Sequence, residues 1–448
     1  MEDRIAAVLR CVSDTRVLRL GNGVITETPE VFRSCFGEQA AVVVADVNTF
    51  KAAGKRVGDV VGGAGLETLE PVVFDNPDLH AHYRHVEDLV RTFQKREGIP
   101  IAVGSGTVND LVKLAAHECQ RPYMVVGTAA SMDGYTSYGA SITRDGAKTT
   151  FFCPAPKAVV ADLDIISAAP AELNAAGYGD LIAKVPAGAD WMLADVMGTE
   201  PIHPEAWSSV QDHLREWVAN PHAVRSGDHA AIRNLTEGLL MTGFAMQWAR
   251  SSRPASGAEH LFSHLWDMQN HHHNGQVPLH GCKVAIGSMA TTLLYDLVLD
   301  SPIEKLNIDR ILANWPSEEE LDDRIRCTQR LESARAVALV ELKAKYIDHQ
   351  KLKARLKNLQ AIWPSLRERL RRQLLPADEL RQMLAAAGTP YDPAQIGIDL
   401  DRLQQTYWQA QQMRRRYTVL DLAVETGQMS ACLNRLFAPD GPWRMAVK

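Results

Sequence analysis

The feature that constrains this chain most is the uneven placement of its β-branched residues. Five short runs, AVVVAD (41–46), VVFD (72–75), IPIAVGS (99–105), YMVVGT (123–128) and AVVADLD (158–164), all lie in the first 165 residues. Continuous apolar runs bounded by Gly, Asp or Thr suit strands of a parallel sheet that is covered on both faces. After residue 170 the runs stop, and Ala, Leu, Glu, Gln and Arg recur with helical period, as in GLLMTGFAMQWAR (238–250). The expected architecture is an α/β Rossmann-like nucleotide-binding domain over residues 1–165, followed by an all-α metal- and substrate-binding domain over 166–448. No repeat or long flexible linker separates the two. Tight packing is expected, with a cleft between the halves as the default place for a ligand.

Composition excludes several function classes. With 448 residues, 46% hydrophobic and 23% charged, the chain can bury a large core and is neither disordered nor fibrous. A formal net charge of -6 offers no general attraction for a polyanion, so no nucleic-acid partner is expected. The seven cysteines are scattered and form no CxxC pair, which predicts reduced thiols and a cytoplasmic location. No segment approaches about 18 uninterrupted apolar residues and the N-terminus has no signal-like run, so neither a membrane span nor secretion is expected.

The strongest phosphate-binding signal is IPIAVGSGTVNDLVKLAAHE (99–118). A buried strand enters Gly104, Ser105, Gly106 and Thr107, and a helix is predicted from about Val108. Glycines admit an anion close to the backbone, and helix N-terminal amides then meet its oxygens. A plain strand-to-helix turn has the same wording. Asp46 ends an earlier strand, where a carboxylate can hydrogen-bond an adenosine ribose. GTAASMDGYTSYGAS (127–141) reads as a polar loop on the same edge of the sheet, or as a surface loop with an Asx turn at Asp133-Gly134.

EHLFSHLWDMQNHHHNGQVPLHG (259–281) holds six of the fifteen histidines. His260 and His264, spaced i, i+4, share a helix face. His280 follows the turn signal Asn274-Gly275, and the two helices can bring it to His260. A carboxylate would complete an open metal site, and Asp180 in GYGDLIAK is available. His271, His272 and His273 point in different directions on a helix and are expected to be a surface cap.

The ordered set GSGTVNDLVK, GTAASMDGYTS, GYGDLIAK, GAEHLFSHLWD and PLHG, over roughly residues 15–300, resembles the sn-glycerol-1-phosphate dehydrogenase family. This is one branch of the superfamily of iron-type alcohol dehydrogenases, glycerol dehydrogenase and dehydroquinate synthase. The resemblance implies a dehydroquinate synthase-like fold, NAD or NADP as cofactor, one divalent ion (Ni or Zn), a small phosphorylated substrate and a homodimer. Carried over by position, the metal ligands would be Asp180, His260 and His280. Asp46, Gly106, Thr107, Val108, Asn109, Asp110, Thr128, Ala129, Ala130, Ser131 and Ser137 would contact the dinucleotide. Asp133, Asp180 and His264 would meet the substrate, Asp180 and His264 as catalytic groups.

Iron-type alcohol dehydrogenases usually carry a histidine where this chain has Lys184, and dehydroquinate synthases a glutamate where it has Asp180. A glycerol dehydrogenase-like polyol oxidoreductase and a dehydroquinate synthase-like lyase remain as alternatives. Lys184, Lys148 and His264 are the candidate phosphate partners.

One segment points to a different class. In HQKLKARLKNLQAIWPSLRERLRRQLLP (349–376), an apolar stripe from Leu352 to Leu374 lies opposite crowded Lys and Arg. A core-facing helix with a solvated basic side is expected, in preference to a nucleic-acid or membrane surface.

Overall fold

The structure, a computed structural model, describes residues 2–76, 78–144 and 147–445. All five predicted runs form strands: β2 (Ala41–Asp46), β3 (Val72–Phe74), β4 (Ile99–Gly104), β5 (Met124–Gly127) and β8 (Ala158–Asp162). They join a sixth strand, β1 (Val17–Gly21), in a parallel sheet of order β1-β8-β5-β4-β2-β3. β1 is an edge strand, half-buried and interrupted by Arg19, whose guanidinium meets Glu27 at 2.9 Å. An edge has no need of a continuous apolar run, so its sequence carries no such signal. β6 (Ala140–Arg144) and β7 (Ala147–Phe151) pair as a separate antiparallel ribbon.

The sheet is held by burial on both faces. Val43, Val103, Met124, Val126 and Val160 pack with Phe32 and Val57 from the flanking helices. Ile101 is fully buried among them, and shortening it to Ala should cost about 2–5 kcal/mol.

The chain forms two compact units, and neither is a single stretch. The first joins Met1–Leu181 to Pro204–Ala255, and the second joins Ile182–His203 to Ser256–Lys448. This differs from one break near residue 165. The helix His229–Ala249 belongs with the sheet because polar contacts fix it there: Thr136 donates to the Leu240 carbonyl at 2.6 Å, and Gln247 donates to the Thr136 carbonyl at 2.7 Å. Gly243 makes that approach possible, since a Cβ there would lie 2.1 Å from Thr136 Oγ1.

The second unit is helical. Asp190, fully buried, accepts from Tyr295 Oη at 2.6 Å, Ala258 N at 2.7 Å and Val419 N at 2.8 Å, so one carboxylate ties three separate segments. The helix His280–Asp300 is long and apolar enough to cross a membrane by length and composition, but 83% of its most apolar window is buried within the protein, as in a core helix. In His349–Gln373 the residues Leu352, Leu356, Leu359, Trp363, Leu366 and Leu370 are buried, as the stripe requires. Its basic side meets acids: Arg355 pairs with Glu425, Lys353 with Asp309 and Arg371 with Asp300.

The histidine triplet is not uniformly a surface cap. His272 is exposed, but His271 is buried, receiving Arg402 Nη1 on Nδ1 at 2.8 Å and donating Nε2–H to the Ile396 carbonyl at 2.6 Å. The preceding helix already ends at Met268, so the triplet lies beyond its last turn, where His271 can turn inward. Burial, reinforced by Arg402, holds its imidazole below the ordinary histidine range.

Candidate active site

Two sets of groups converge on the predicted residues. The first is the carboxyl edge of the sheet. Val44 pairs with Ala102 and Gly104 with Gly127, which puts Asp46, Gly104 and Gly127 level at the strand ends. From β2 the chain goes to β3 on one flank, and from β4 to β5 on the other. That divergence is the switch point where open α/β sheets bind ligands.

The helix Gly106–Glu118 starts two residues earlier than predicted, and Ser105 at its N-cap makes no side-chain capping bond. The amides of Gly106, Thr107 and Val108 therefore point out of the first turn without a helical acceptor. Gly104 is required because a Cβ would meet Val108 at 2.6 Å. Asp46 sits beside this turn and caps the short helix Val47–Thr49, its Oδ1 accepting from Asn48 N at 2.8 Å and Thr49 N at 2.9 Å.

Most of the other predicted dinucleotide residues are buried. Val108 and Asn109 are fully enclosed; Tyr123 donates to Asn109 Oδ1 at 3.0 Å. Asp110 accepts from Ser141 N at 3.0 Å and fastens β6, with burial raising its carboxyl above the usual range. Thr128, Ala129 and Ala130 are buried and Ser131 half-buried.

The segment 128–131 lies directly on the helix Ala171–Ile182 that carries Asp180, for a Cβ on Gly177 would fall 1.8 Å from the Ala130 carbonyl oxygen. Asp180 Oδ2 in turn accepts from Asp133 N at 3.0 Å. Lys113, placed by the sequence on the early turns of the helix Gly106–Glu118 but given no role, fixes the rest of the loop. Its buried ammonium donates to the carbonyls of Gly134 (2.8 Å), Ser137 (3.0 Å) and Gly139 (3.0 Å), and lies 3.3 Å from Ser137 Oγ.

The second set is a potential metal centre. Asp180, His260 and His280 each offer one ligand atom, and these atoms all lie within 4.8 Å of one another. His260 in the helix Ala258–Met268 and His280 at the first turn of His280–Asp300 have their imidazoles 5.4 Å apart, centroid to centroid. His264 is half-buried, 6.2 Å from His260 and 6.3 Å from His280.

One carboxylate and two imidazoles are a set that divalent ions of intermediate softness accept. His260 Nδ1 lies 2.8 Å from Glu259 Oε1, and His280 Nδ1 lies 3.4 Å from Ser263 Oγ. Contacts to ligating rings from such neighbours orient the imidazoles. Of the phosphate candidates, Lys184 is fully buried and Lys148 lies half-buried on β7.

Sequence reasoning missed Glu259 although it adjoins a chosen histidine, because an acid next to a histidine is common and only burial gives it meaning. A lysine on an otherwise apolar helix face was the available signal for Lys113.

This fold is that of the iron-containing alcohol dehydrogenases and glycerol dehydrogenases. A model of the iron-containing alcohol dehydrogenase family matches residues 19–170. A probable glycerol dehydrogenase from Sinorhizobium meliloti superposes with a TM-score of 0.59 at 15% identity, covering 94% of this chain and 97% of that one. Two curated relatives are named glycerol-1-phosphate dehydrogenase [NAD(P)+]. That of Halalkalibacterium halodurans is 35% identical over 280 residues, 62% of this chain and 70% of the relative. That of Geobacillus thermodenitrificans is 32% identical over 383 residues, 85% of each. The chain belongs to the glycerol-1-phosphate dehydrogenase family and is an oxidoreductase.

Proposed function

We propose that the chain reduces dihydroxyacetone phosphate to sn-glycerol 1-phosphate, and catalyses the reverse, with NADH or NADPH as hydride donor and one divalent ion, Ni or Zn, held by Asp180, His260 and His280. The observation that carries this reading is the convergence of those three donors within 4.8 Å. Its support from kinship is the 32% identity that runs along 85% of a relative named for that activity. A divalent ion in such a site acts as a Lewis acid toward a carbonyl oxygen.

The chain's own groups do the rest. The amides of Gly106, Thr107 and Val108 take the pyrophosphate, and Asp46 the adenosine ribose, since its Oδ2 accepts none of the described hydrogen bonds. Thr128 to Ser131 and Ser137 line the nicotinamide half from a loop that Lys113 keeps rigid. Asn109 and Asp110 contribute through the fold of that loop. Asp133 and His264 orient the substrate, with His264 beside His260 to engage its phosphate or the new hydroxyl. Lys184 and Lys148 are the further cationic candidates. Holding the donor carbon and carbonyl carbon at reacting distance can supply ~7–11 kcal/mol of the barrier. The active form is a homodimer.

The test is to load the purified protein with Ni or Zn, follow NADH oxidation with dihydroxyacetone phosphate and assign the product's configuration. Turnover to sn-glycerol 1-phosphate is expected. Turnover of unphosphorylated dihydroxyacetone alone would transfer the chain to the polyol reading, and no hydride transfer would leave the lyase. Size-exclusion chromatography with light scattering checks the dimer.

A further inference from the structure

We infer that Glu259 is a positioning residue that fixes the tautomer and ring orientation of His260, an inference that rests on the metal-site reading above. Glu259 is fully buried, and its Oε1 accepts from Gly257 N at 2.6 Å and from His260 Nδ1 at 2.8 Å. Gly257 leaves room for it, since a Cβ there would lie 2.9 Å from Glu259 Oε2. Gly287 lets the neighbouring helix close on the same residue, a Cβ there lying 2.2 Å from the Glu259 carbonyl oxygen.

Oε2 is buried and has no hydrogen-bond partner among the described residues. An enclosed carboxylate with one oxygen unsatisfied is costly, more so when it is charged. A fold that needed only a helix-start acceptor would be served by a neutral side chain. The carboxylate is explained if it holds the proton on Nδ1, so that the Nε2 lone pair faces Asp180 and His280, and if its charge is offset by a cation bound there. Outer partners of this kind typically change metal affinity 10–100-fold.

The experiment uses the full-length protein and two readouts. Nitrogen-proton correlation spectra of the metal-free protein, assigned with the His260→Gln variant, report the His260 tautomer; the Nδ1–H form is expected. The Nε2–H form in the unaltered protein would overturn the inference without any further variant. Zinc affinity is then measured by competition with a chromophoric chelator. Glu259→Gln should lose the Nδ1–H preference and bind zinc 10–100-fold more weakly, with NADH affinity unchanged, and Glu259→Asp should recover part of both. An unchanged tautomer with zinc affinity within twofold would sink the proposal. If the unaltered protein binds no zinc, the metal reading fails, while the tautomer still decides the role of Glu259.

Discussion

The sheet edge and the histidine cluster solve the same problem with opposite materials. On the reading proposed above, main-chain amides are the binding groups at the sheet edge, and the side chains nearby, Asn109, Asp110 and Lys113, are buried and spent on shaping the loop. In the cluster, on the same reading, side-chain atoms of Asp180, His260 and His280 are the binding groups, with Glu259 and Ser263 in contact with the two imidazoles. A site made of backbone is damaged through its supports, whereas a site made of side chains is damaged directly.

That contrast can be tested by substitution, the largest effect first. His280→Ala should lower metal affinity and turnover together, by more than the roughly 100-fold that loss of an outer-shell partner costs. NADH binding, followed by fluorescence, should survive; metal content by atomic emission and the rate should fall in parallel. Retained metal would break the ligand assignment.

Lys113→Met should do the converse. It removes a donor shared by three buried carbonyls; that of Gly134 keeps Asn109 Nδ2 and Ser137 Oγ, whereas that of Ser137 is left unsatisfied among the described residues, so denaturant unfolding should show a loss of about 1–3 kcal/mol. Hydrogen exchange should quicken at residues 134–141, while zinc affinity stays close to normal. Gly177→Ala probes the junction of loop and helix: its methyl would displace the Ala130 carbonyl, costing ~1–3 kcal/mol and weakening NADH.

Asp46→Asn should be milder. The cap survives in part, at a cost below ~1 kcal/mol, while the ratio of kcat/KM for NADPH over NADH should rise. The smallest effect concerns His271. Its folded-state pKa is lowered by burial, so the neutral form is the one the fold favours; its contribution is present above the unfolded value near 6.5 and is lost as pH falls below it. A His271→Gln variant should show a shallower decline in thermal midpoint between pH 7 and 5.

What was legible from sequence follows the same division. The buried strands and the i, i+4 pair His260 and His264 are periodic signals, whereas the approach of His280 and Asp180 to His260 depends on how separate helices pack. β1 was missed because an edge strand tolerates Arg19. Glu259 and Lys113 were missed because their meaning lies in burial, and no local pattern separates a buried charge from a solvated one. Helical periodicity likewise showed that His229–Ala249 is a helix but could not say which unit it would join. His271 was misplaced because its partners, Ile396 and Arg402, are remote in sequence.

The interleaving of the two units has a consequence for how the protein is made. The last strand of the sheet is complete at Asp162, yet Leu239 and Leu240, which lie with Val159, Ala161 and Gly127 around a small void, are translated much later. A nascent chain emerging from the ribosome therefore carries an apolar patch of the sheet around Val159 and Ala161 without Leu239 and Leu240 against it until the helix ending at Ala249 follows. The interval favours chaperone capture and aggregation, and an expression fragment stopped near residue 165 would live in that state permanently.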